Sequence, residues 1–577
     1  MVINALTRLK TAILLLILIG LVVHVNSIFN DFVLGDDTDQ IVENLQIRNL
    51  VNIPAFFSGS TYFRQESNRA FGLYYKPVMM ITYTLIYQIA GADPLLYHLV
   101  QVLLFIATSV VLLLLFREFF SPQLAWFLAV VFVVHPANTE SVYFAAALQD
   151  VLFMLFGTMA LLLLVRGQPL ATLPKSLLLG ILLLTSMFSK ETGVAFLLIA
   201  GLYVFFFERK FFRRMLQLSL GMFLIYVFFR FGIAHIGFGE QAIARISRAA
   251  LPVRLMNIPF MLATYALLLV FPAHLEIHQN WLVTSLSTSA VLLPLTLIGV
   301  ATIALVMLGV KFKQHSRQLF LPFLFFLGWT TVGFVPHLQL IPLDVTLAER
   351  WLILPMGGVL GMVGVVVTAG KKRLPPRTIL ICITSLILII FSIRTVMRGF
   401  NWRSSETLFT HDLQTAQDNY YLENLYASLL LMQGRVAEAE PLVRTSVNGY
   451  PFLSNLSNLA IIRLNQGKYD EAETYFEQSL AKEHIYPAVQ NYVNFLVFIK
   501  KDYGKAKIAI QKYLPNYPGA AYLWMTLALV EHDRGNQTEA VKAALKALSL
   551  EQTPIIEEVS RALAAGVEPD VQKYLAP

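Results

Sequence analysis

The sequence predicts an all-α membrane protein, in which a polytopic bundle of transmembrane helices is followed by an α-solenoid of helical repeats. Hydrophobic residues make up 56% of the 577 residues and charged residues only 14%, whereas soluble domains carry about 25% charged residues. The long apolar runs are confined to residues 1–400, and residues 401–577 have the composition of a soluble protein. Residues 419–554 also repeat with a period of 33–34 residues.

The first 400 residues contain eleven apolar stretches that we interpret as membrane crossings, because about 20 apolar residues span a bilayer. Two further stretches, 77–90 and 257–271, are short, so that the bundle has 11–13 membrane segments. The expected crossings lie near residues 11–30, 98–116, 123–142, 151–165, 176–189, 191–206, 215–234, 289–310, 319–336, 351–369 and 378–394. Arg8 and Lys10 precede the first stretch without a clear cleavage site, which indicates an uncleaved first span.

Charge is distributed unevenly along the chain. Residues 401–577 carry a net charge of −4 and the first 400 residues a net charge of +12. The basic residues lie in short clusters between apolar runs, so the positive-inside rule explains them better than a nucleic-acid partner does. If the two short stretches return to the side where they began, every cluster lies inside; alternatively, both stretches cross. Either arrangement places residues 395–577 outside the cell or in a lumen. The clusters are Arg8/Lys10, Arg117, Arg166/Lys175, Arg209–Arg214, Lys311–Arg317 and 371–373.

The soluble region, residues 405–577, resembles an array of about four tetratricopeptide repeats. A flexible residue recurs at each predicted turn, and a small residue recurs where paired helices approach each other closely. Such arrays stack into solenoids that bind proteins, although this array could instead support oligomerisation. The turn residues are Gly434, Gly467, Lys501 and Gly535, and the small residues are Ala439, Ala472, Ala506 and Ala540.

An acidic pair, Asp36 and Asp37, follows the first span in the predicted external loop 31–76. A transferase that acts on a hydroxyl group needs a carboxylate base within hydrogen-bond reach. Lys76, at the end of the same loop, could neutralise the phosphate of a lipid-linked sugar as the glycosyl bond breaks. The pattern therefore suits transfer from a polyprenyl-phosphate sugar, although an Asp pair can also bind a cation or cap a helix.

The motifs also resemble, in order, those of GT-C-type transmembrane O-mannosyltransferases that carry tetratricopeptide repeats. These motifs are the Asp pair, "YYKPV", "HPANTESV", "SKE", "LAERWLILPMGG" and "NWRSSETLF". The resemblance covers most of residues 28–554. It implies a polyprenyl- or dolichyl-phosphate mannose donor, Ser/Thr acceptors on proteins, inversion at the sugar carbon, and an external or lumenal active site. Animal members of that family modify cadherins and related proteins in the endoplasmic reticulum.

The resemblance also implies roles for individual residues. Asp36 would be the catalytic carboxylate with Asp37 as its partner, and Lys76 and Arg350 would bind the donor phosphate. "AALQD" stands where the family tends to have Gly-Arg-x-Asp, which leaves the role of Asp150 open. The other candidate site residues are His135, Glu140, Asp150 and Glu191. No protein metal site and no cofactor is assigned, and a divalent metal is not excluded.

Two rival interpretations remain open at this stage. The acceptor could be a lipid or a polysaccharide, or the chain could be a non-enzymatic scaffold anchored in the membrane. His274, Glu276 and His278 have a spacing that invites a metal interpretation, but their surroundings favour an interfacial loop. We expect an integral membrane protein of the cell membrane in a prokaryote, or of the endoplasmic reticulum in a eukaryote. Its expected partners are the lipid-linked sugar donor, a protein acceptor and membrane lipids.

Overall fold

The structure of the chain is a computed structural model that describes all but short stretches of it. It describes residues 7–64, 69–71, 73–167, 169–237, 244–370, 376–416, 418–482 and 485–571. The predicted basic cluster at 371–373 lies outside the described residues.

Helices form most of the described regular structure, which confirms the predicted all-α class. The exception is a short antiparallel hairpin that pairs Tyr62–Arg64 with Arg69–Phe71. The helices up to residue 422 are Leu9–His24, Pro77–Ala90, Pro94–Phe116, Pro122–Val134, Thr139–Tyr143, Leu148–Gly167, Leu173–Ser189, Ala195–Phe207, Phe212–Val227, Arg245–Arg248, Leu251–Val270, Leu293–His315, Arg317–Phe334, Ile353–Ala369, Arg377–Asn401 and Ser405–Thr415.

The chain is a multi-pass membrane protein. Among the described residues, nine helices are long and apolar enough to cross a bilayer. A tenth crossing results if Pro122–Val134 and Pro136–Tyr143, which meet at an angle of 53°, form one bent span. The bend falls at His135-Pro136, where proline has no N–H group for the helical hydrogen bond. Three shorter apolar helices complete the set: Pro77–Ala90, Leu173–Ser189 and Glu191–Phe207.

One apolar helix is longer than the sequence suggests. Leu251–Val270 has 20 residues, which corresponds to about 30 Å. Near its start, Arg254 donates to the carbonyl of Gln339 at 2.9 Å, and near its end the carbonyl of Leu269 lies 2.9 Å from the His135 ring. These contacts join its two ends to the segments that follow Arg317–Phe334 and Pro122–Val134.

The chain divides into two compact units, and the division falls later than the composition change suggests. The first unit comprises Met1–Thr61 and Gly72–Leu422, and the second Tyr62–Phe71 and Glu423–Pro577. The helix Ser405–Thr415 belongs to the first unit. Arg398 and Asp412 join it to the preceding span through a fully buried bidentate ion pair, with one contact at 2.9 Å. A cut at residues 400–405 would break this pair.

The second unit confirms the predicted repeats. The backbone at each predicted turn is left-handed, with φ between +56° and +79° at Gly434, Gly467, Lys501 and Gly535, a conformation that glycine adopts without steric cost. The four predicted small residues, Ala439, Ala472, Ala506 and Ala540, are fully buried. The helices are Tyr420–Met432, Val436–Gly449, Leu453–Asn465, Tyr469–Lys482, Tyr486–Asn494, Tyr503–Tyr513, Ala521–Asp533, Gln537–Leu550 and Pro554–Ala564.

Candidate active site

The two acidic residues of the first loop have different surroundings. Asp37 is fully buried, and its two carboxylate oxygens accept hydrogen bonds from the main-chain N–H groups of Val33 at 2.8 Å and Ala146 at 2.6 Å. Burial raises the pKa of Asp37 to about 7, although these hydrogen bonds act in the opposite direction. Asp36 is only half-buried. Asp37 therefore joins the loop to the start of the helix Leu148–Gly167, and Asp36 is the more accessible carboxylate.

Lys76 lies at the start of the helix Pro77–Ala90 and is 4% exposed. Its ammonium group lies over the ring of Tyr74, 4.1 Å from the centroid, at a distance typical of a cation–π interaction. Within the described part of the chain, that ammonium forms no ion pair with a carboxylate. Burial lowers the pKa of Lys76 even though the Glu191 carboxylate is nearby. The site thus holds a buried cation that an anion would stabilise.

Tyr74 also connects Lys76 to a carboxylate. Its hydroxyl donates to Asp344 at 2.6 Å. Burial acts to raise the pKa of Asp344, but the charge of Arg350 and the Tyr74 hydroxyl outweigh it and hold that pKa below its usual value. Asp344 therefore carries its negative charge at neutral pH and fixes the aromatic ring under the Lys76 ammonium.

Glu191 fixes the backbone that precedes Lys76. Its carboxylate accepts a hydrogen bond from the main-chain N–H of Tyr75 at 2.8 Å and from Arg230 at 3.0 Å. Arg230 in turn donates to the carbonyl of Leu73 at 3.0 Å. The predicted site residue Glu191 thus positions residues 73–75, together with an arginine that the sequence did not single out.

Asp150 forms a buried ion pair with Lys190. The Lys190 ammonium lies 2.5 Å from Asp150 Oδ1, and the two side chains are 10% and 1% exposed. The second Asp150 oxygen has no hydrogen-bond partner among the described residues. Lys190 carries a like charge close enough to Lys76 to act on its titration. Asp150 therefore balances the charge of Lys190 before any substrate binds, as Glu140 does for Arg350.

Glu140 and Arg350, both predicted site residues, bind each other. One Glu140 oxygen accepts from the Arg350 guanidinium, and the other accepts from the main-chain N–H of Arg350 at 2.8 Å. Both side chains are almost fully buried. The pair joins the short helix Thr139–Tyr143 to the start of the span that contains Arg350. Much of the Arg350 charge is therefore balanced before any substrate binds.

His135 has a different position from the other predicted residues. Its Nε2 lies 2.9 Å from the carbonyl of Leu269, and its Nδ1 accepts from the main-chain N–H of Ala137 at 3.2 Å. Both ring nitrogens are thus engaged by backbone groups. The structure does not place this histidine with the lysines, and its contacts fix the bend at Pro136.

Asp36 belongs to the same charged cluster as the cations. Its carboxylate acts electrostatically on Lys76, Arg350 and His278. The cluster therefore consists of a half-buried carboxylate, Lys76, and two cations that are already paired, Lys190 and Arg350. Among the described residues, no group of three or more His, Cys, Asp or Glu side chains is arranged to hold a metal ion.

Known proteins resemble this chain over most of its length. A Caenorhabditis elegans protein named protein O-mannosyl-transferase is 26% identical over 440 residues, which are 74% of this chain and 61% of the relative. The Homo sapiens protein O-mannosyl-transferase TMTC3 is 22% identical over 611 residues, covering 90% of this chain and 65% of the relative. The chain is a homologue of these proteins. The resemblance predicted from the motifs is confirmed.

Further comparisons concern the repeats, the length of the chain and solved structures. The family model described as tetratricopeptide repeat matches residues 453–483. The chain spans less than two thirds of the length of either relative. Among solved structures, a chain of the APC/C hetero-tetramer Cut9–Hcn1 has 11% identity and a TM-score of 0.26, over 84% of this chain and 89% of that one. That similarity is too low to support an inference.

The sequence motifs assigned no role to Lys190 or Arg230, and they suggested His278 only as part of a metal site. Lys190 stands inside the quoted "SKE" motif, so its motif was noticed but its pairing with Asp150 was not. Arg230 lies in an apolar segment near the end of a span, where a charged residue is costly unless it has a partner. That cost is the signal by which Arg230 could have been found.

Proposed function

We propose that the protein transfers a sugar, mannose, from a polyprenyl- or dolichyl-phosphate donor to a Ser or Thr hydroxyl of a protein. The proposal is carried by the half-buried carboxylate of Asp36, whose charge acts on the buried Lys76 ammonium, and by the fact that this ammonium forms no ion pair with a carboxylate among the described residues. The names of the homologues support the sugar and the protein acceptor. In this proposal the cluster faces the side that the charge pattern of the sequence predicts to be external or lumenal.

The proposed chemistry is a single displacement with inversion. Asp36 accepts the proton of the acceptor hydroxyl as the hydroxyl oxygen bonds to the sugar C1. The bond between C1 and the phosphate oxygen breaks, and the electron pair leaves with the lipid phosphate. Lys76 stabilises the charge that develops on that phosphate. Asp37, Glu191 and Arg230 hold the segments that carry these groups.

The proposal is tested by mass spectrometry of glycoproteins from cells with and without the gene. Loss of hexose from Ser and Thr residues of external or lumenal proteins supports the proposal. Unchanged protein glycosylation together with an altered lipid or polysaccharide indicates the rival acceptor class. If neither protein glycosylation nor a lipid or polysaccharide changes, and cells with an Asp36 variant resemble the wild type, the result favours the non-enzymatic scaffold.

Membrane orientation gives a separate prediction. In a Cys382→Ser background, a cysteine at Asn536, which is exposed in the repeat unit, should react with an impermeant thiol reagent in intact cells or correctly oriented microsomes. A cysteine at Lys210, in a predicted cytoplasmic cluster, should react only after the membrane is opened. The opposite labelling pattern would contradict the external or lumenal site.

The repeat unit should affect the choice of acceptor more than the chemistry. Tetratricopeptide arrays bind proteins, and such binding raises the local concentration of an acceptor. Removing residues 423–577 should therefore reduce transfer to a protein much more than transfer to a saturating short peptide. The cut follows Leu422 because Asp412 and Asn419 support the first unit.

The truncated chain must be compared at equal membrane levels. Equal losses on peptide and protein at normal levels would rule out an acceptor platform. If the truncated chain disappears from the membrane, the repeats are required for stability, and this prediction is likewise wrong.

A further inference from the structure

His278 lies in a segment whose backbone is fixed at every residue. The N–H of Glu276 donates to the Glu349 carboxylate, and the N–H of Ile277 donates to Asp412 at 2.8 Å. The carbonyl of His278 accepts from the Asn419 amide at 2.9 Å. These partners come from distant parts of the first unit, so the surrounding fold determines where His278 stands.

The partner of Ile277 is itself immobilised. Asp412 is completely buried and forms the ion pair with Arg398, which ties the last span to the helix Ser405–Thr415. On the other side of His278, the following residue Gln279 forms an antiparallel bridge with Leu347. The backbone is therefore fixed by hydrogen bonds on both sides of His278, unlike the backbone of a typical solvent-exposed loop.

The backbone of His278 has an unfavourable conformation. Its φ of +55° lies in the left-handed region, where residues other than glycine are uncommon. Strained residues persist when the surrounding structure determines them, and they cluster at functional sites. His235 has the same φ but is exposed, and it provides a matched comparison within the chain.

The imidazole of His278 is buried beside the charged cluster. The side chain is 9% exposed, and its ring meets the rings of Tyr421 and Phe144 edge to face, at 5.5 and 6.2 Å between centroids. Its Nδ1 has no hydrogen-bond partner among the described residues. A buried polar atom without a partner is costly and calls for an explanation.

Burial of the ring favours a neutral imidazole. Burial lowers the pKa of His278, and the Arg350 charge acts in the same direction, while Asp36, Glu140 and Asp344 oppose it. A neutral imidazole has one hydrogen-bond donor and one acceptor. A hydroxyl group matches this pair, whereas a phosphate is better matched by the Lys76 ammonium.

We infer that His278 binds a substrate hydroxyl group in the site that contains Asp36, either on the donor sugar or on the Ser/Thr acceptor. This inference rests on the proposed function, because it is that reaction which brings a hydroxyl to the site. The residue contacts the substrate and adds a hydrogen bond to the two roles already assigned, proton acceptance by Asp36 and phosphate binding by Lys76.

The test compares His278→Asn, His278→Gly and the control His235→Gly in the full-length protein. Asparagine and glycine both tolerate the left-handed backbone, but neither presents an imidazole. Using polyprenyl-phosphate mannose and a Ser/Thr peptide, both His278 variants should lower kcat/KM about tenfold, the effect of losing one hydrogen bond. His235→Gly should match the wild type, and melting temperatures should show that all variants are folded.

The kinetic pattern distinguishes the two sources of the hydroxyl. If it belongs to the acceptor, KM for the peptide rises and hydrolysis of the donor in the absence of peptide is unchanged. If it belongs to the donor sugar, hydrolysis and transfer fall together. Folded His278 variants with wild-type kinetics overturn the inference, and so does a failure of both variants to fold, which would make the residue structural. In either case, active wild type and inactive Asp36→Asn leave the proposed function intact.

Discussion

Replacing Asp36 with asparagine should abolish transfer while the protein still inserts into the membrane. Asparagine has nearly the same shape but cannot accept the proton of an attacking hydroxyl. General-base catalysis contributes about 10²- to 10⁴-fold to rate, so we expect kcat to fall by about that factor. The rate is measured with purified protein, polyprenyl-phosphate mannose and a Ser/Thr peptide. Asp36 is half-buried, and the substitution should therefore change the melting temperature little.

Asp31→Asn is the matched control for Asp36. Asp31 belongs to the same loop and is exposed, so its replacement should leave the rate unchanged. An Asp36→Asn variant that retains wild-type kcat would eliminate Asp36 as the base. Equal losses in both variants would show that the loop responds to any change in charge.

Replacing Lys76 with alanine should have an effect of similar size through the leaving group. In the proposed reaction, the buried ammonium stabilises the additional negative charge that develops on the phosphate as the C1–O bond breaks, and such contacts provide about 2–4 kcal/mol of transition-state stabilisation. Transfer should therefore fall by about 10²- to 10³-fold. Lys76→Arg should retain part of the activity, because it keeps the charge but changes its geometry. Initial rates at saturating peptide provide the measurement.

The control for Lys76 is Lys175→Ala, an exposed lysine in a predicted cytoplasmic cluster. It should transfer sugar at the wild-type rate. The assignment of Lys76 to the phosphate does not survive if Lys76→Ala has unchanged kinetics, or if Lys76→Arg is no better than Lys76→Ala in folded protein.

The features that the sequence predicted well depend on local pattern. The repeat turns at Gly434 and Gly467 could be located because the left-handed backbone and the close approach of paired helices each require a particular kind of residue at a fixed spacing. Long apolar helices are equally local, since about 20 residues of suitable composition suffice. Where the pattern is marginal, as near 257–271, the helix extends beyond the apolar stretch, and Arg254 near its start contacts Gln339.

The features that the sequence could not predict depend on partners far apart in the chain. The sequence alone does not distinguish the surroundings of Asp36 from those of Asp37. In the structure, Asp37 accepts a hydrogen bond from the main-chain N–H of Ala146, 109 residues away. Arg350 was assigned to the phosphate from its motif, and the structure pairs it with Glu140, 210 residues away. Pairing of this kind arises from packing of the bundle, and no spacing rule contains it.

The left-handed backbone of His278 could not be predicted from the sequence for the same reason. The backbone there is held by the Ile277 N–H, which donates to Asp412, and by the Asn419 amide, which donates to the carbonyl of His278. Both partners lie more than 130 residues along the chain. The sequence showed a histidine near another histidine and a glutamate, which suggests a metal. The structure instead shows a single imidazole between two aromatic rings.

The most direct test of the central claim is the anomeric configuration of the sugar that the purified protein places on a Ser/Thr peptide. Wild-type protein is incubated with polyprenyl-phosphate mannose of defined configuration, and the glycopeptide is analysed by NMR. Direct attack by a hydroxyl that Asp36 deprotonates predicts mannose on the hydroxyl oxygen with the configuration opposite to that in the donor, and no product from Asp36→Asn. Retention of configuration, or the same product from Asp36→Asn at the wild-type rate, would contradict it.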